Sequence, residues 1–369
     1  MPLLHTHSEG SFHNSSLKSP GQLPELANSK TTKMPRWGIL GTSFISHTVA
    51  AAIASSPNST IGAVFGRDPN RLAAFADKYA IPTRHSTLEA LVEDPDVDVV
   101  YVGLPSHLHA QASIAAARQG KAVLSEKSLT TTMADARELI RVVDEQGVFF
   151  VEGLMYLSHP FMQEVVKIIQ SGTLGTVRSV SGSYSSNIWE RANPLGMGTI
   201  YNLGCYPVSL LHLVIQAAFG DEAFTRRQVQ GLGNLSEDGT HVRDASLLVK
   251  FDTGAGTSGV LATIQSSDTI GKDFSFLVQG SDKFLRFGTN PWMPPEDSYL
   301  VVGDYGKNET KYDSQSRENA FEWQVKKVEE CLAAGLKQAP RPSPRWEDSL
   351  AIMGLLTEWE EAITGRKVG

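Results

Sequence analysis

Residues 97–104 read VDVVYVGL, a run with too few polar positions for a strand that keeps one face in water. Strands that are apolar on both faces are typical of a parallel sheet covered by helices. Similar runs lie at 37–40, 60–66, 121–126 and 148–154. Helical patterns at about 44–55, 69–79, 107–119 and 132–146 alternate with them. The sequence therefore predicts an α/β domain with a doubly wound parallel sheet over residues 35–154.

The pattern changes after residue 154. Helices are predicted at 160–171 and 203–218, and two amphipathic helices close the chain at 320–335 and 345–365. Five alternating runs lie between them, at 176–184, 245–251, 258–267, 274–280 and 283–287. The connections DTGAG at 252–256 and GSDK at 280–283 are typical of hairpins. We predict a C-terminal α+β domain over 155–369 with a large open, mainly antiparallel sheet.

Composition sets the wider limits. The chain has 369 residues, 41% of them hydrophobic, which is enough for two domain cores. Residues 1–34 are rich in Ser, Asn, Thr, His and Pro and have little to bury, so we predict a flexible tail there.

Several functional classes are disfavoured. The net charge of −7 and the absence of a basic block argue against nucleic-acid binding. No apolar run reaches the ~20 residues of a membrane helix. Cys205 and Cys331 match no zinc spacing and fit a reducing compartment, so we expect a cytoplasmic protein. The histidine pairs HTH and HLH have no carboxylate or thiolate at usable spacing, and no metal site is predicted.

The first chemical signal is WGILGTSFIS at 37–46, where a strand runs into Gly41, Thr42, Ser43, Phe44 and Ile45 at the start of a helix. A dinucleotide-binding turn places Gly-x-Gly-x-x-Gly at this point, so that backbone amides meet the pyrophosphate. Only the first glycine is present, because serines occupy the second and third positions. A plain tight turn stays an alternative.

The end of the second strand, VFGRDPNR at 64–71, bears on the choice of cofactor. An acidic residue there would bond the ribose 2′-hydroxyl of NAD, but Gly66 and Arg67 occupy the place. A guanidinium makes strong bonds to phosphate, so the sequence favours NADP, with NAD possible. Asp68 has a structural interpretation as a helix N-cap before Pro69.

Together these motifs resemble the Gfo/Idh/MocA family of oxidoreductases (glucose–fructose oxidoreductase, inositol dehydrogenase and dihydrodiol dehydrogenase). The resemblance runs from about residue 36 to 365 and is carried by WGILGTSFI, DVVYVGLPSHLHAQ, GKAVLSEKSLTTT, VEGLMYLSHP, SGTLGTVRSV and GTIYNLGCYPVSLL. It implies a Rossmann domain followed by an open sheet that packs against a partner subunit, in a homodimer or higher homo-oligomer. The active site would lie in the cleft between the two domains.

The resemblance also implies site residues. Lys127, in Glu126-Lys127-Ser128, matches the lysine placed beside nicotinamide and substrate, with Glu126 on the cofactor side. Asn202 and Tyr206 match a catalytic pair four residues apart on one helical face, and a phenol beside the Lys127 ammonium would have its ionised form stabilised. Softer matches are Ser106 and His109 near the nicotinamide, and Tyr156 near the substrate.

This sequence departs from the family pattern at three places: Ser128 stands for proline, Asn202 for aspartate, and serines stand in the phosphate loop. Structural alternatives also stay open, because Lys127 could be a solvated strand-end charge, Tyr206 a packed helix-end aromatic, and His109 a core histidine.

The predicted function is NADP-dependent hydride transfer between nicotinamide and a secondary alcohol or carbonyl of a polyhydroxylated or cyclic small molecule. Lys127 would polarise the reacting oxygen, Tyr206 would donate or accept its proton, and Asn202 would hold the hydroxyl. Two alternatives are a non-catalytic dinucleotide-sensing regulator of the same fold and a lyase that uses a tightly held nicotinamide cofactor transiently.

Overall fold

The computed structural model of the protein describes residues 34–193, 195–254, 259–306 and 308–367. The predicted tail lies outside the described residues except for Met34, and so does the second part of the predicted turn at 252–256.

The first sheet is parallel throughout, with six strands in the described part of the chain in the order β3-β2-β1-β4-β5-β6. Its strands are β1 Arg36–Leu40, β2 Thr60–Phe65, β3 Thr83–His85, β4 Val99–Val102, β5 Ala122–Glu126 and β6 Phe150–Gly153. Every residue of β4, β5 and β6 is buried, as a strand apolar on both faces requires. The strand order reverses between β1 and β4, where doubly wound folds bind their ligands.

Five α-helices connect these strands: α1 Phe44–Ser55, α2 Pro69–Lys78, α3 Leu88–Val92, α4 His109–Arg118 and α5 Met133–Gln146. A short 3₁₀ turn, Ser106–Leu108, precedes α4, so the predicted helix at 107–119 begins two residues later as an α-helix. Asp68 caps α2 by accepting hydrogen bonds from the main-chain nitrogens of Asn70 and Arg71, which confirms its structural interpretation.

The second sheet has eight strands within the described residues, in the order β14-β13-β12-β11-β7-β10-β9-β8. They are β7 Val177–Ser185, β8 Arg227–Leu235, β9 Val242–Phe251, β10 Val260–Ser267, β11 Asp273–Gly280, β12 Lys283–Phe287, β13 Tyr299–Asp304 and β14 Glu309–Asp313. Only the β7–β10 pair is parallel among the pairs of these strands. The predicted fold class, a Rossmann sheet plus a mainly antiparallel second sheet, is confirmed.

The helices of this second part are α6 Pro160–Gln170, α7 Trp189–Ala192, α8 Cys205–Phe219, α9 Ala320–Ala333 and α10 Trp346–Thr364. Helices α9 and α10 pack against α1 and α5 of the first sheet's cover. Glu329 on α9 accepts hydrogen bonds of 2.6 Å from both Ser56 and Ser59. The last two helices of the chain therefore pack against helices that cover the first sheet.

One helical segment, Ile200–Phe219, is long and apolar enough to cross a membrane by length and composition alone. The sequence does not predict a membrane helix there, because His212 and Gln216 interrupt the apolar run. In the structure it packs against α6, α10 and the second sheet, and 72% of its apolar window is buried. Its apolar residues therefore belong to the core.

Candidate active site

Lys127 follows β5 directly, at the carboxyl edge of the parallel sheet. Its Nζ donates a hydrogen bond of 2.7 Å to the main-chain oxygen of Asn202, and the side chain is half-buried. The Lys127–Ser128 peptide bond is cis, and the Ser128 hydroxyl donates to the main-chain oxygen of Tyr201 at 2.8 Å. Two consecutive residues at the strand end thus reach the segment before α8.

Asn202 lies in a π-helical turn, Ile200–Gly204, that leads into α8. Wide turns of this kind recur at functional sites because they free main-chain groups from the regular α-helical pattern. Here the Asn202 carbonyl oxygen accepts from the Lys127 ammonium. Tyr206 follows in the first turn of α8, so the predicted trio of Lys127, Asn202 and Tyr206 comes together.

The Lys127 ammonium lies over the face of the Tyr206 ring, with Nζ 5.2 Å from the ring centroid. Among the described residues, the Tyr206 hydroxyl has only a weak contact, 4.0 Å, with Met155 Sδ, which leaves the phenol available to a bound molecule. Burial, followed by the neighbouring Tyr184, raises the pKa of Tyr206 well above its usual range. Burial therefore opposes the expected stabilisation of an ionised phenol by Lys127 and favours the neutral form.

An aromatic cluster surrounds Tyr206. The ring centroids of Tyr184, Tyr156 and Trp292 lie 5.2, 6.1 and 6.2 Å from that of Tyr206. Tyr156 is fully buried, and its hydroxyl contacts the Ser209 hydroxyl at 2.7 Å and the main-chain oxygen of Tyr206 at 3.2 Å. Tyr156 is therefore placed beneath Tyr206 as a packing residue, not as the predicted substrate contact.

Asp268 was not predicted from the sequence; it follows β10 directly and is 0% exposed. Its Oδ2 accepts hydrogen bonds from the side-chain amides of Asn193 at 3.0 Å and Asn202 at 3.1 Å. Burial raises the pKa of Asp268, while the amide donors and the Lys127 charge oppose that rise. The polar run QSSD at the end of an alternating strand is the only sequence signal, since 66 residues separate Asp268 from Asn202.

His109 is fully buried at the start of α4, and its ring nitrogens lie 2.8 Å from the carbonyl oxygens of Ser128 and Leu104. Burial lowers the pKa of His109 to about 4, although both carbonyls favour the charged ring. The two effects conflict, since a neutral ring carries one N–H and satisfies only one carbonyl. Both ring nitrogens face main-chain oxygens, so His109 holds the loop after Lys127, and its contact with a cofactor stays a prediction.

The phosphate loop has the shape that dinucleotide binding needs. Gly41 has a φ of +105°, and a Cβ there would meet the Gly103 oxygen at 2.8 Å, so only glycine fits. Ser43 caps α1, and its Oγ lies 3.1 Å from that of the buried Ser46. Ile45 packs on the core, whereas Phe44 is 78% exposed.

The end of β2 lies beside this loop. Arg71 donates to the main-chain oxygen of Thr42 at 3.0 Å, and Arg67 is exposed nearby in sequence. Arg67 is the only residue of this segment predicted from the sequence to contact the cofactor, but Arg71, four residues later in the first turn of α2, supplies a second guanidinium. Two cations thus belong to the segment where a 2′-phosphate would bind.

Two further predicted cofactor residues stand at strand ends. Ser106 is half-buried and opens the 3₁₀ turn after β4. Glu126 is 6% exposed, and its carboxylate accepts hydrogen bonds from the Tyr101 hydroxyl at 3.0 Å and the Lys127 amide at 3.3 Å. Burial raises the pKa of Glu126. Within the described ranges, no group of three or more His, Cys, Asp or Glu could hold a metal ion.

Comparison with known proteins identifies the family. Residues 35–154 match the model of the oxidoreductase family with an NAD-binding Rossmann fold, and residues 162–286 match the Gfo/Idh/MocA C-terminal domain. A trans-1,2-dihydrobenzene-1,2-diol dehydrogenase of Bos taurus is 28% identical over 83% of this chain and 90% of its own length. A D-xylose 1-dehydrogenase (NADP(+)) of Haloferax volcanii is 29% identical over 90% and 98%.

Solved structures agree on the fold. KijD10, a 3-ketoreductase from Actinomadura kijaniata solved with NADP and TDP-benzene, matches with a TM-score of 0.77 at 23% identity, over 89% of this chain and 98% of that one. The aldose-aldose oxidoreductase of Caulobacter crescentus matches with a TM-score of 0.76 at 22% identity, over 90% and 98%. The enzyme class predicted from the sequence, an NAD(P)-dependent dehydrogenase or reductase, is confirmed. This chain belongs to the Gfo/Idh/MocA family of oxidoreductases.

Proposed function

We propose that the protein is an NADP-dependent oxidoreductase that transfers a hydride between nicotinamide and a secondary alcohol or carbonyl of a polyhydroxylated or cyclic small molecule. The observation that carries this proposal is the convergence of Lys127, Asn202 and Tyr206 at the carboxyl edge of the parallel sheet. The names of the relatives, a diol dehydrogenase and a sugar dehydrogenase, support vicinal hydroxyl groups as the substrate feature.

The cofactor fits the residues present. Gly41 lets the loop after β1 pass close to the main chain of Gly103, because a Cβ there would lie 2.8 Å from the Gly103 oxygen. The start of α1 that follows offers main-chain amides to a pyrophosphate. When bound, the nicotinamide supplies or receives the hydride. Arg67 and Arg71 would hold the 2′-phosphate of NADP at the end of β2.

The residues of the chain would handle the oxygen and its proton. The Lys127 ammonium, held beside Asn202, would stabilise negative charge that develops on the substrate oxygen. Tyr206, kept neutral by burial, would donate its proton to that oxygen in the reducing direction. Asn202 would hold a neighbouring hydroxyl by hydrogen bonds.

A substrate panel tests the proposal. D-xylose, trans-1,2-dihydrobenzene-1,2-diol and related diols and ketones are offered with NADP(H) and NAD(H), and the absorbance of reduced nicotinamide is followed. Turnover with one of these classes supports the proposal. Tight cofactor binding with no net change of nicotinamide across the panel would contradict it and favour a dinucleotide sensor or a lyase.

The cofactor preference gives a first prediction. We expect Arg67→Ala to weaken NADP binding by roughly 1.5–3 kcal/mol, as for loss of a hydrogen bond between charged groups, and to leave NAD binding nearly unchanged. Binding isotherms for both cofactors measure this, with Arg137→Ala, an exposed arginine on α5, as the control. Equal losses for NADP and NAD would show that Arg67 does not contact the 2′-phosphate.

We also propose that the chain forms a homo-oligomer through the second sheet. The outward face of β8, β9 and β10 exposes Leu232, Leu248 and Leu261, at 80%, 45% and 52%, and exposed apolar patches of this kind mark interaction surfaces. The same face also carries Lys250, which pairs with Leu261 across β9 and β10. Cytoplasmic location stays a proposal, supported by the two buried free thiols Cys205 and Cys331.

Light scattering checks the assembly. We expect a dimer mass or larger at micromolar concentration, and a lower mass for the Leu248→Lys/Leu261→Lys variant, because two buried charges would oppose the contact. Leu336→Lys, at an exposed leucine after α9, is the control. A monomer mass for the unmodified chain would contradict the proposal.

A further inference from the structure

Asp268 has the features of a working carboxylate. It is 0% exposed at the end of β10, and its Oδ2 accepts from two asparagine side chains. Its Oδ1 has no hydrogen-bond partner among the described residues. A buried carboxyl group that leaves one oxygen unpaired costs stability, so its presence beside the candidate site needs a reason.

The two asparagines are fixed in orientation. The Oδ1 of Asn193 accepts from the Gly198 amide at 2.8 Å, so its Nδ2 is directed to Asp268. Asn202 likewise directs its Nδ2 to Asp268 at 3.1 Å. An amide that donates through nitrogen keeps its oxygen free as an acceptor, and the Asn202 side-chain oxygen is therefore set as an acceptor on the residue that also binds Lys127.

The chemistry of this arrangement differs from that of a lone asparagine. Asn202 is neutral, but a carboxylate bonded to its amide nitrogen polarises the amide and makes its oxygen a stronger acceptor. Glu126, another carboxyl group near Lys127, is already engaged by Tyr101 and the Lys127 amide. The charge behind Asn202 therefore comes from Asp268.

We propose that Asp268 is a positioning residue that supplies, through the Asn202 amide, the negative charge of this site, and fixes the Asn202 oxygen as the acceptor for a substrate hydroxyl. The proposal rests on the proposed function, because only that function identifies the group bound by the Asn202 oxygen as a substrate hydroxyl. It makes the Asp268–Asn202 pair a functional unit in which the charge and the contact with substrate belong to different residues.

An exchange of the two side chains tests this directly. Asp268→Asn removes the charge while keeping a side chain that can still bond Asn193 and Asn202. We expect turnover to fall about tenfold or more, because charge-assisted hydrogen bonds are about twice as strong as neutral ones. NADP affinity should stay unchanged. In Asn202→Asp/Asp268→Asn the carboxylate changes places and each bond can reform. We expect this double variant to recover most of the lost turnover.

Asp244→Asn is the matched control, because Asp244 accepts from Ser267, the neighbour of Asp268, at 2.6 Å and has no bond to Asn202. We expect its turnover to stay within about twofold of the unmodified enzyme. Turnover of Asp268→Asn within the same range would overturn the proposal. If the exchange variant folds but turns over no faster than Asp268→Asn, the proposal is also overturned. If Asp268→Asn does not fold, the exchange variant alone decides, and a folded but inactive exchange variant overturns the proposal.

A second measurement does not need turnover, so it distinguishes failure of this proposal from failure of the proposed function. Infrared difference spectra between the unmodified protein and Asp268→Asn, recorded at neutral pH, report the ionisation of this one carboxyl group. We expect the bands of a carboxylate. The carbonyl band of a protonated acid would overturn the proposal, because a neutral group cannot supply the charge.

Discussion

Lys127→Met is expected to lower turnover on the order of 100-fold or more, comparable with removal of one preorganised donor or acid–base group. The side chain donates a hydrogen bond of 2.7 Å to the Asn202 carbonyl oxygen, so its charge is held beside Asn202 and Tyr206. That charge interacts most strongly where negative charge develops on the substrate oxygen. Steady-state rates with the substrate found in the panel measure the loss.

The same variant is expected to bind NADP almost as well as the unmodified enzyme, because the phosphate loop and the β2 end lie on other strands. Lys283→Met, which removes an exposed lysine at the start of β12, is the control. If Lys127 were a solvated strand-end charge, its loss would change turnover less than about twofold, as for a surface change within ~0.5 kcal/mol. That result would remove Lys127 from the site.

The fold and the position of Lys127 were predictable because both follow from local pattern. An apolar strand such as β5 belongs inside a parallel sheet, and any residue directly after it lies at the carboxyl edge, where such sheets bind ligands. The cap at Asp68 is likewise decided by residues within a few positions of each other.

Other parts of the site were not predictable, since they depend on packing between distant segments. Asp268 reaches Asn202 because β10 packs against the π-helical turn Ile200–Gly204, a contact between distant parts of the chain. Trp292 joins the aromatic cluster from the segment after β12. The packing position of Tyr156 was not predictable for the same reason. The sequence does not show that α8 covers this side chain and that the Ser209 hydroxyl lies 2.7 Å from the Tyr156 hydroxyl.

Tyr206→Phe is expected to lower turnover by a similar amount, on the order of 100-fold, because the phenol is the proposed proton donor. Tyr156→Phe is the matched control, since it removes the hydroxyl of the neighbouring tyrosine. Loss of the Tyr156–Ser209 hydrogen bond should lower the free energy of unfolding by about 0.5–1.5 kcal/mol while turnover stays within about twofold. Equal turnover losses for both variants would show that packing, not proton transfer, explains the effect.

The raised pKa of Tyr206 adds a dependence on pH with a definite sign. A phenol whose pKa lies well above its usual range stays protonated, and is therefore a competent donor, throughout the interval from about pH 7 to 9 where even an ordinary tyrosine, with a pKa of about 10, is mostly neutral. In the reducing direction, turnover should show no decline from deprotonation of Tyr206 over that interval. A decline in the reduction rate of the unmodified enzyme that disappears in Tyr206→Phe would show that the phenol ionises within the tested range.

The Lys127→Met/Tyr206→Phe variant should lose less turnover than the product of the two single losses, because both groups act on one oxygen and its proton. Turnover losses that multiply would mean that the two residues act in separate steps.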